Sequence, residues 1–410
     1  AMDSAMLLAV ARGVSAICRL SLGPLMPLLS TDLRIDTAVK GKMLSSFSTG
    51  YLFTQVAGGR FADSFGAKRT VFLVLMVTAV ALAVVPEIVT VFGAPGLTAV
   101  YFGLGAVNGP LFPACSVMLR HVASKDKASA MAIVDAGATL GGCLATVVPT
   151  VAFYLGWPML YRLLALLCAG ASVAWGWCAR EPAAAPRHEA SESLGVRKML
   201  SLFLQPGIWA LFLAHGVFNY SNYFLNAWMP TMFVDQFDDV DAATVGAFLM
   251  WPEVVGVMSR FVSAAVADRY VLKSGRLSLL SMRKSGSVVA FLGQGVALYC
   301  AVRQGTPVRC VFFLMCASTA AAVHSCGFKP NYLDLTTAYS GVLSGIGNTF
   351  ASVASAVGPA ITSEILLYRP GDWLLLFNGL FLMNCLGACV VALFLSVDNL
   401  DLKLSRVSPK

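Results

Sequence analysis

The chain has 410 residues, of which 58% are hydrophobic and 12% are charged, and its formal net charge is +8. A soluble domain carries about 25% charged residues, so this composition excludes a single water-facing domain and predicts a polytopic membrane protein. The basic residues fall in short clusters between apolar runs, where they suit an anionic membrane surface. A nucleic-acid partner is therefore not expected.

Twelve apolar runs follow one another along the chain, each near the about 20 residues that a membrane-spanning helix needs. The long polar break at 181–202 is rich in Ala, Pro, Glu and Ser and predicts a flexible linker. We therefore expect an all-α integral membrane protein of twelve transmembrane helices, with one six-helix bundle over 1–180, a second over 203–400 and a tail at 401–410. The runs, called spans one to twelve, cover residues 5–29, 41–61, 70–92, 95–121, 127–154, 157–180, 203–234, 244–267, 281–302, 308–330, 337–367 and 371–397.

Arg19 lies midway along span one. A guanidinium at that depth costs several kcal/mol unless it is paired or faces water, so the residue is a functional candidate. Its planar fork suits a carboxylate or a phosphate group. Two partners remain open: an anionic group of a solute, or Asp135 of span five in an internal ion pair.

The turn between spans two and three has the composition of a gating loop at a membrane surface. Gly59 lets two helices approach closely, Asp63 at a helix end suits a bond to the tip of a neighbouring helix, and Gly66 turns the chain. Lys68 and Arg69 favour a cytoplasmic location for the turn. An ordinary basic loop that obeys the positive-inside rule is the alternative.

A second copy of this turn lies at half the length of the chain. Asp268, followed by Arg269, comes 205 residues after Asp63, which predicts a duplicated chain with pseudo-symmetric halves. Both copies resemble the loops after the second and eighth helices of major facilitator transporters, although Ser64 replaces the arginine that usually follows the aspartate. The resemblance implies the twelve-helix major facilitator fold and transport by alternating access.

Lys and Arg residues are distributed unequally between the loops on the two sides of the membrane, with eighteen on one side and seven on the other. Because the excess marks the cytoplasm, we expect both termini and the linker there, and the acidic turn 235–241 on the opposite side. Arg12, Arg19, Arg60 and Arg260 belong to neither side. Plastid, vesicle and plasma membrane all remain open as the location.

Span seven carries four polar side chains in one helical register, since His215, Asn219, Asn222 and Asn226 are 4, 3 and 4 residues apart. This spacing places them on one face, as a helix that lines an aqueous cavity requires. Asn348, within the small-residue stripe of span eleven, is assigned to the wall of the same cavity. Hydrogen-bonded packing between helices is the alternative.

Two carboxylates fall within the apolar runs, Asp135 in span five and Glu253 in span eight. Each suits either proton exchange or a structural ion pair, Asp135 with Arg19 and Glu253 with Arg260. The sequence leaves both roles open.

Three further segments indicate which family of major facilitator transporters the chain resembles. Ile17–Leu22, Asn108–Cys115 and Asn331–Asn348 are similar to motifs of the organic-anion and phosphate cotransporters, the family of sialin, the vesicular glutamate transporters and the plastid anion transporters. The resemblance implies an anionic substrate of the phosphate or carboxylate class and a coupling ion, sodium or a proton. Tyr101 and Asn108 stand where acidic-substrate members carry an arginine and a glutamate, so they are assigned to the substrate site.

These observations predict a symporter that moves a small organic or inorganic anion across the bilayer by alternating access. The chain has no phosphate loop and no nucleophile–base pair, and its eleven cysteines lack metal-ligand spacing, so neither an enzyme nor a cofactor is expected. The alternative from another class is a transport-inactive membrane subunit that serves as a scaffold or receptor in a membrane complex.

Overall fold

The computed structural model contains α-helices, one 3-10 turn and no strand over the residues that it describes. The predicted linker 181–202, the tail 401–410 and the second turn copy, with Asp268 and Arg269, lie outside the described residues. Those residues are 2–119, 127–180, 203–241, 244–266, 277–335, 340–398 and 400.

The described helices before the predicted linker coincide with spans one to six. They are α1 (Met2–Leu20), α2 (Leu22–Leu33), α3 (Thr37–Phe65), α4 (Ala67–Ala83), α5 (Val85–Asn108), α6 (Leu111–Leu119), α7 (Lys127–Leu155) and α8 (Trp157–Cys178).

Local backbone chemistry explains where these helices join and break. The Ser21 N–H donates to the Ile17 carbonyl at 3.1 Å, which carries the helix from α1 into α2. The chain leaves α2 at Arg34, whose φ of 52° is left-handed, and Asp36 then caps α3 by accepting from the Val39 N–H at 2.8 Å. Gly93, with a φ of 61°, interrupts α5 between spans three and four.

The described helices after the predicted linker coincide with spans seven to twelve, apart from a short helix at 331–335 that lies between spans ten and eleven. They are α9 (Pro206–Gln236), α10 (Val245–Val266), α11 (Leu279–Ala301), α12 (Pro307–Ala322) with the 3-10 turn Val323–Ser325, α13 (Asn331–Leu335), α14 (Ser340–Tyr368) and α15 (Trp373–Phe394).

Eight segments of the described chain are long and apolar enough to cross a membrane by length and composition. The helix α9 is not one of them, and it carries four of the polar residues predicted to line a cavity: His215, Asn219, Asn222 and Asn226. Many large apolar side chains face outward, among them Trp177 at 87% exposed, as the lipid-facing surface of a membrane protein requires.

The chain forms two compact units that do not follow chain order. Unit 1 comprises Ala1–Ala183, Tyr223–Met250 and Ser355–Gly371, and unit 2 comprises Ala184–Asn222, Trp251–Ala354 and Asp372–Lys410. The helices α9, α10 and α14 therefore contribute residues to both units. The predicted division of the chain at 181–202 stays a prediction.

Candidate functional site

Arg19 lies in unit 1, in the last turn of α1. Its guanidinium carbon is 5.7 Å from the ring centroid of Phe47 in α3 and 5.7 Å from that of Tyr223 in α9. Its Nε is buried without a hydrogen-bond partner, and the described part of the chain gives this guanidinium no ion pair. The guanidinium thus lies beside two aromatic rings.

A cavity of about 50 Å³ opens beside Arg19, and we call it the first cavity. It has room for a few water molecules. Helices from spans one, two, seven and eleven supply its wall, and all of its lining residues belong to unit 1. Its lining contains the polar residues Arg19, Ser48, Tyr223, Asn226 and Ser355.

A second cavity, of about 40 Å³, shares Arg19 and Phe47 with the first. It is formed by α1, α3, α5, α6 and α7, again within unit 1. Its lining comprises Arg12, Ser15, Ala16, Arg19, Phe47, Tyr51, Asn108, Leu111 and Ala138.

Asn108 lines the second cavity, but its amide is engaged in the protein. Its Oδ1 accepts from the Ser15 hydroxyl at 2.8 Å, and its Nδ2 donates to the Thr78 hydroxyl at 3.2 Å and to the Leu104 carbonyl at 2.8 Å. Only 4% of the residue is exposed. Asn108 therefore ties α1, α4 and α5 together and holds Ser15 in place.

Tyr101, assigned to the substrate site together with Asn108, is fully buried in the apolar core of unit 1. Its hydroxyl is hydrogen-bonded to that of Tyr161 at 3.1 Å. It lines neither of the two cavities.

The polar face of α9 is divided between the two units. Asn226 belongs to unit 1 and lines the first cavity with Arg19. The other polar residues assigned to that cavity belong to unit 2: His215, Asn219, Asn222 and Asn348.

Within unit 2, two of these residues have partners of their own. His215 Nδ1 is hydrogen-bonded to the Tyr332 hydroxyl at 2.9 Å, and its ring lies 5.8 Å from that of Phe328. Asn222 donates to the Phe218 carbonyl, one turn earlier in α9, at 2.7 Å. The His215 bond joins α9 to α13 and matches the helix-packing alternative as well as a cavity wall. The Asn222 bond lies within α9 and favours neither.

The turn between α3 and α4 is described in part. Gly59 and Asp63 lie near the C-terminal end of α3, and the Asp63 side chain is outside the described residues. Gly66 follows with a φ of 96°, a conformation that favours glycine. In α4, the Lys68 carbonyl accepts from the Trp175 indole at 2.8 Å, and the Arg69 guanidinium lies 5.9 Å from the Phe65 ring.

The coupling candidates are also only partly described. The backbone of Asp135 lies in α7, and its side chain is outside the described residues. Glu253 and Arg260 lie two turns apart on α10, in unit 2, and no ion pair within 4.0 Å joins them in the described chain.

Sequence reasoning missed several residues of the two cavities. Phe47 and Tyr51 lie one turn apart in α3 with rings 6.3 Å apart, and nothing in span two distinguishes them from core or lipid-facing aromatics. The sequence could have identified Arg12, because it precedes Arg19 by seven residues and this spacing places both on the same face of a helix.

Comparisons with known proteins agree with this architecture. The family model of the Major Facilitator Superfamily matches residues 8–359. Sodium-dependent phosphate transport protein 1, chloroplastic, of Arabidopsis thaliana is 27% identical over 365 residues, 84% of this chain and 69% of that protein. Sialin of Homo sapiens is 26% identical over 377 residues, 88% of this chain and 76% of that protein.

A solved structure extends the agreement to the fold. A bacterial homologue of the human lysosomal transporter Spinster, in an inward-facing and unoccupied conformation, aligns with a TM-score of 0.73 over 99% of this chain and 98% of its own. At 13% identity this likeness shows the fold alone. The all-α membrane fold that the sequence predicts is confirmed, and so is the resemblance to sialin and the plastid transporters.

Proposed function

Because the chain belongs to the Major Facilitator Superfamily, we propose that it is a secondary active transporter of a small organic or inorganic anion, with Arg19 as the anion contact. The name of the plastid relative, a sodium-dependent phosphate transport protein, supports an anion of the phosphate or carboxylate class and a coupling ion. Alternating access and cytoplasmic termini belong to the same proposal.

One observation carries the proposal: a guanidinium at the wall of a cavity inside the bundle has no anionic partner in the described chain. Removing a charge from water costs several kcal/mol unless another charge or water compensates. The chain next to Arg19 offers only neutral hydroxyls, at Ser15 in α1 and at Ser21 directly after it. An anion that enters the cavity would supply the compensation.

The surroundings suit that role. Phe47 and Tyr223 contact the guanidinium through their rings, so these contacts stabilise its charge without using its N–H donors. The hydroxyls of Ser48 and Ser355 and the amide of Asn226 line the same cavity. A bidentate bond from the Arg19 fork, supplemented by such groups, is the usual way to hold a carboxylate or phosphate.

The test is uptake by the purified protein in liposomes, with inorganic phosphate, succinate and glucuronate as trial anions. We expect Arg19→Gln to fold and to lose uptake by about 10- to 100-fold, the effect of removing a charge-assisted hydrogen bond of about 1.5–3 kcal/mol. Arg19→Lys keeps the charge but not the fork, and it should lose most of the uptake as well.

Arg162→Gln is the matched control, because it removes an arginine whose side chain is 52% exposed and paired with Glu87 at 2.9 Å. Its uptake should equal that of the wild type. Normal uptake by Arg19→Gln would overturn the anion-contact role. A wild-type protein that moves none of the trial anions would favour the scaffold alternative.

A further inference from the structure

His324 is a buried histidine that the proposed anion contact does not use. It lies in unit 2, in the 3-10 turn Val323–Ser325 at the end of α12, and none of the residue is exposed. Neither its Nδ1 nor its Nε2 has a hydrogen-bond partner in the described chain. A neutral imidazole carries one donor and one acceptor, so both remain unused.

Three phenyl rings surround the imidazole, and we call them the aromatic cage. The ring centroids of Phe291, Phe328 and Phe218 lie 4.3, 4.9 and 5.3 Å from that of His324. Phe291 belongs to α11 and Phe218 to α9, and Phe328 follows the 3-10 turn. The cage therefore presents carbon atoms where a buried polar side chain usually finds a hydrogen-bond partner.

An apolar side chain would suit the aromatic cage better than histidine does. Burying a polar group without a partner costs free energy that leucine or methionine would not cost. Residues that contradict the rules of packing in this way are expected at functional sites. Histidine differs from the apolar alternatives in taking up a proton near neutral pH.

The charges around the aromatic cage supply no counter-ion for a protonated imidazole. In the described chain, the titratable and charged groups around it come from α9, α11 and the segment from 326 through α13: His215, Arg283, Cys326, Lys329, Tyr332 and Asp334. The one carboxylate among them is paired with Arg283 at 2.6 Å. His215 and Tyr332 are hydrogen-bonded to each other, and the Lys329 ammonium lies 4.0 Å from a ring centroid of the cage. A proton on the imidazole would therefore leave a buried charge without a partner.

The backbone at His324 differs from that of a regular α-helix. The Cys326 N–H donates to the Val323 carbonyl at 3.0 Å, and the Gly327 N–H donates to the His324 carbonyl at 3.2 Å. Such bonds over three residues have poorer geometry than α-helical ones, and a 3-10 segment within a span often marks a functional hinge. A change in backbone angles here moves the imidazole relative to Phe218 and Phe291, which belong to other helices.

We propose that His324 binds the proton that couples transport, and that it does so by leaving the aromatic cage at the 3-10 turn. The coupling rests on the proposed function, because only a transporter uses the proton to move an anion. The cage holds the imidazole without the extra proton, and water that reaches the opened turn supplies it. Low pH therefore favours the open turn, and return to the cage releases the proton.

The first test is uptake of glucuronate by the purified protein in liposomes, with and without an inward gradient of one pH unit. Glucuronate is a carboxylate that stays ionised between about pH 5.5 and 7.5. The gradient should raise accumulation by the wild type by up to about tenfold, the ratio that one proton per anion can drive. His324→Leu should exchange glucuronate without a gradient and gain nothing from one. His188→Gln, in the predicted linker, is the matched control and should respond as the wild type does.

The second test needs no anion. Amide hydrogen exchange over 323–328, corrected for the effect of pH on the chemical rate, should become faster in the wild type between about pH 7.5 and about pH 5.5, where imidazole takes up a proton. It should not change in His324→Leu. The melting temperature of this variant at about pH 7.5 should equal or exceed that of the wild type, because no hydrogen bond is lost. His324→Met is a second apolar variant, whose unbranched side chain adapts to irregular space.

A gradient effect or a pH-dependent exchange that persists in His324→Leu would overturn the proposal. A large fall in melting temperature, or failure of both apolar variants to fold, would assign His324 a structural hydrogen bond and overturn it as well. His215→Gln tests the other described histidine: loss of the gradient effect there, and not in His324→Leu, would assign the proton to His215.

These outcomes are distinct from those of the proposed function. A wild type that moves glucuronate but does not respond to the gradient would overturn the coupling and leave the proposed function standing. A wild type that moves none of the trial anions would overturn the proposed function, and the exchange measurement would then decide alone whether His324 binds a proton.

Discussion

Two arginines within the helical bundles differ in whether their guanidinium groups have hydrogen-bond partners. In unit 2, the Arg283 Nε donates to Asp334 Oδ2 at 2.6 Å, and its Nη1 donates to the Cys326 carbonyl at 2.9 Å. Its side chain is 9% exposed. In unit 1, Arg19 contacts two aromatic rings and a cavity, and its buried Nε has no partner.

The comparison separates a structural charge from one that is available to a ligand. A buried guanidinium whose donors are met by a carboxylate and a carbonyl contributes to one fixed arrangement of α11 and α13. A guanidinium whose donors are unused retains the capacity to bind something that comes and goes. The groups around each arginine, and not the residue type, therefore determine whether its charge is structural or available to a ligand.

The largest expected effect on stability tests Arg283, the arginine that is paired with Asp334. Asp334→Asn should lower the free energy of unfolding by about 3–5 kcal/mol, because it leaves the Arg283 charge buried and uncompensated. Chemical unfolding in detergent micelles measures it. Glu87→Gln, which breaks the exposed pair with Arg162, is the control and should have no measurable effect. A similarly small effect for Asp334→Asn would mean that Arg283 reaches water.

An intermediate effect tests the wall around Arg19 without changing any polar group. A Cβ on Gly23 of α2 would overlap the Asn226 carbonyl of α9, within unit 1. We expect Gly23→Ala to cost about 1–3 kcal/mol of stability and to lower anion uptake, because Asn226 lines the first cavity. Gly103→Ala is the control, since nothing lies within 4 Å of the added Cβ. Equal behaviour of the two variants would contradict the close contact.

The smallest expected effect is at Arg19, and it gives the most direct test of whether this arginine lacks a permanent partner. Arg19→Met should change the free energy of unfolding by less than about 1 kcal/mol, or raise it, because no internal ion pair is broken when an apolar side chain replaces an unpaired one. Thermal and chemical unfolding in the absence of anions measure this. A loss of about 3 kcal/mol or more would instead identify a permanent partner, and Asp135 is the carboxylate that the sequence proposes for it.

Much of the fold follows from the sequence, because a bilayer imposes length and hydropathy on every span. The gap between spans three and four falls where Gly93 breaks the helix. The separate helix α6 was not predicted within span four. Pro110 lies at the break, where its missing N–H ends one hydrogen-bond ladder and its carbonyl starts the next by accepting from Ala114 at 3.0 Å.

The site was less predictable, because its contacts join residues that are far apart in the chain. The cost of a charge in lipid identifies Arg19 from the sequence alone. Helical periodicity identifies Asn226 and could have identified Arg12. No local pattern reveals that Ser15 and Thr78 fix Asn108, or that Tyr161 meets Tyr101, since those partners are 93, 30 and 60 residues apart.

The wall that the two cavities share has a consequence for how variants are interpreted. Arg19 and Phe47 line both cavities, so a substitution at either position alters both at once. Ser48 lines only the first of the two and Tyr51 only the second, so a substitution at either of these positions changes one lining and leaves the other intact. Variants at these two positions therefore distinguish the contributions of the two cavities, which variants at Arg19 cannot do.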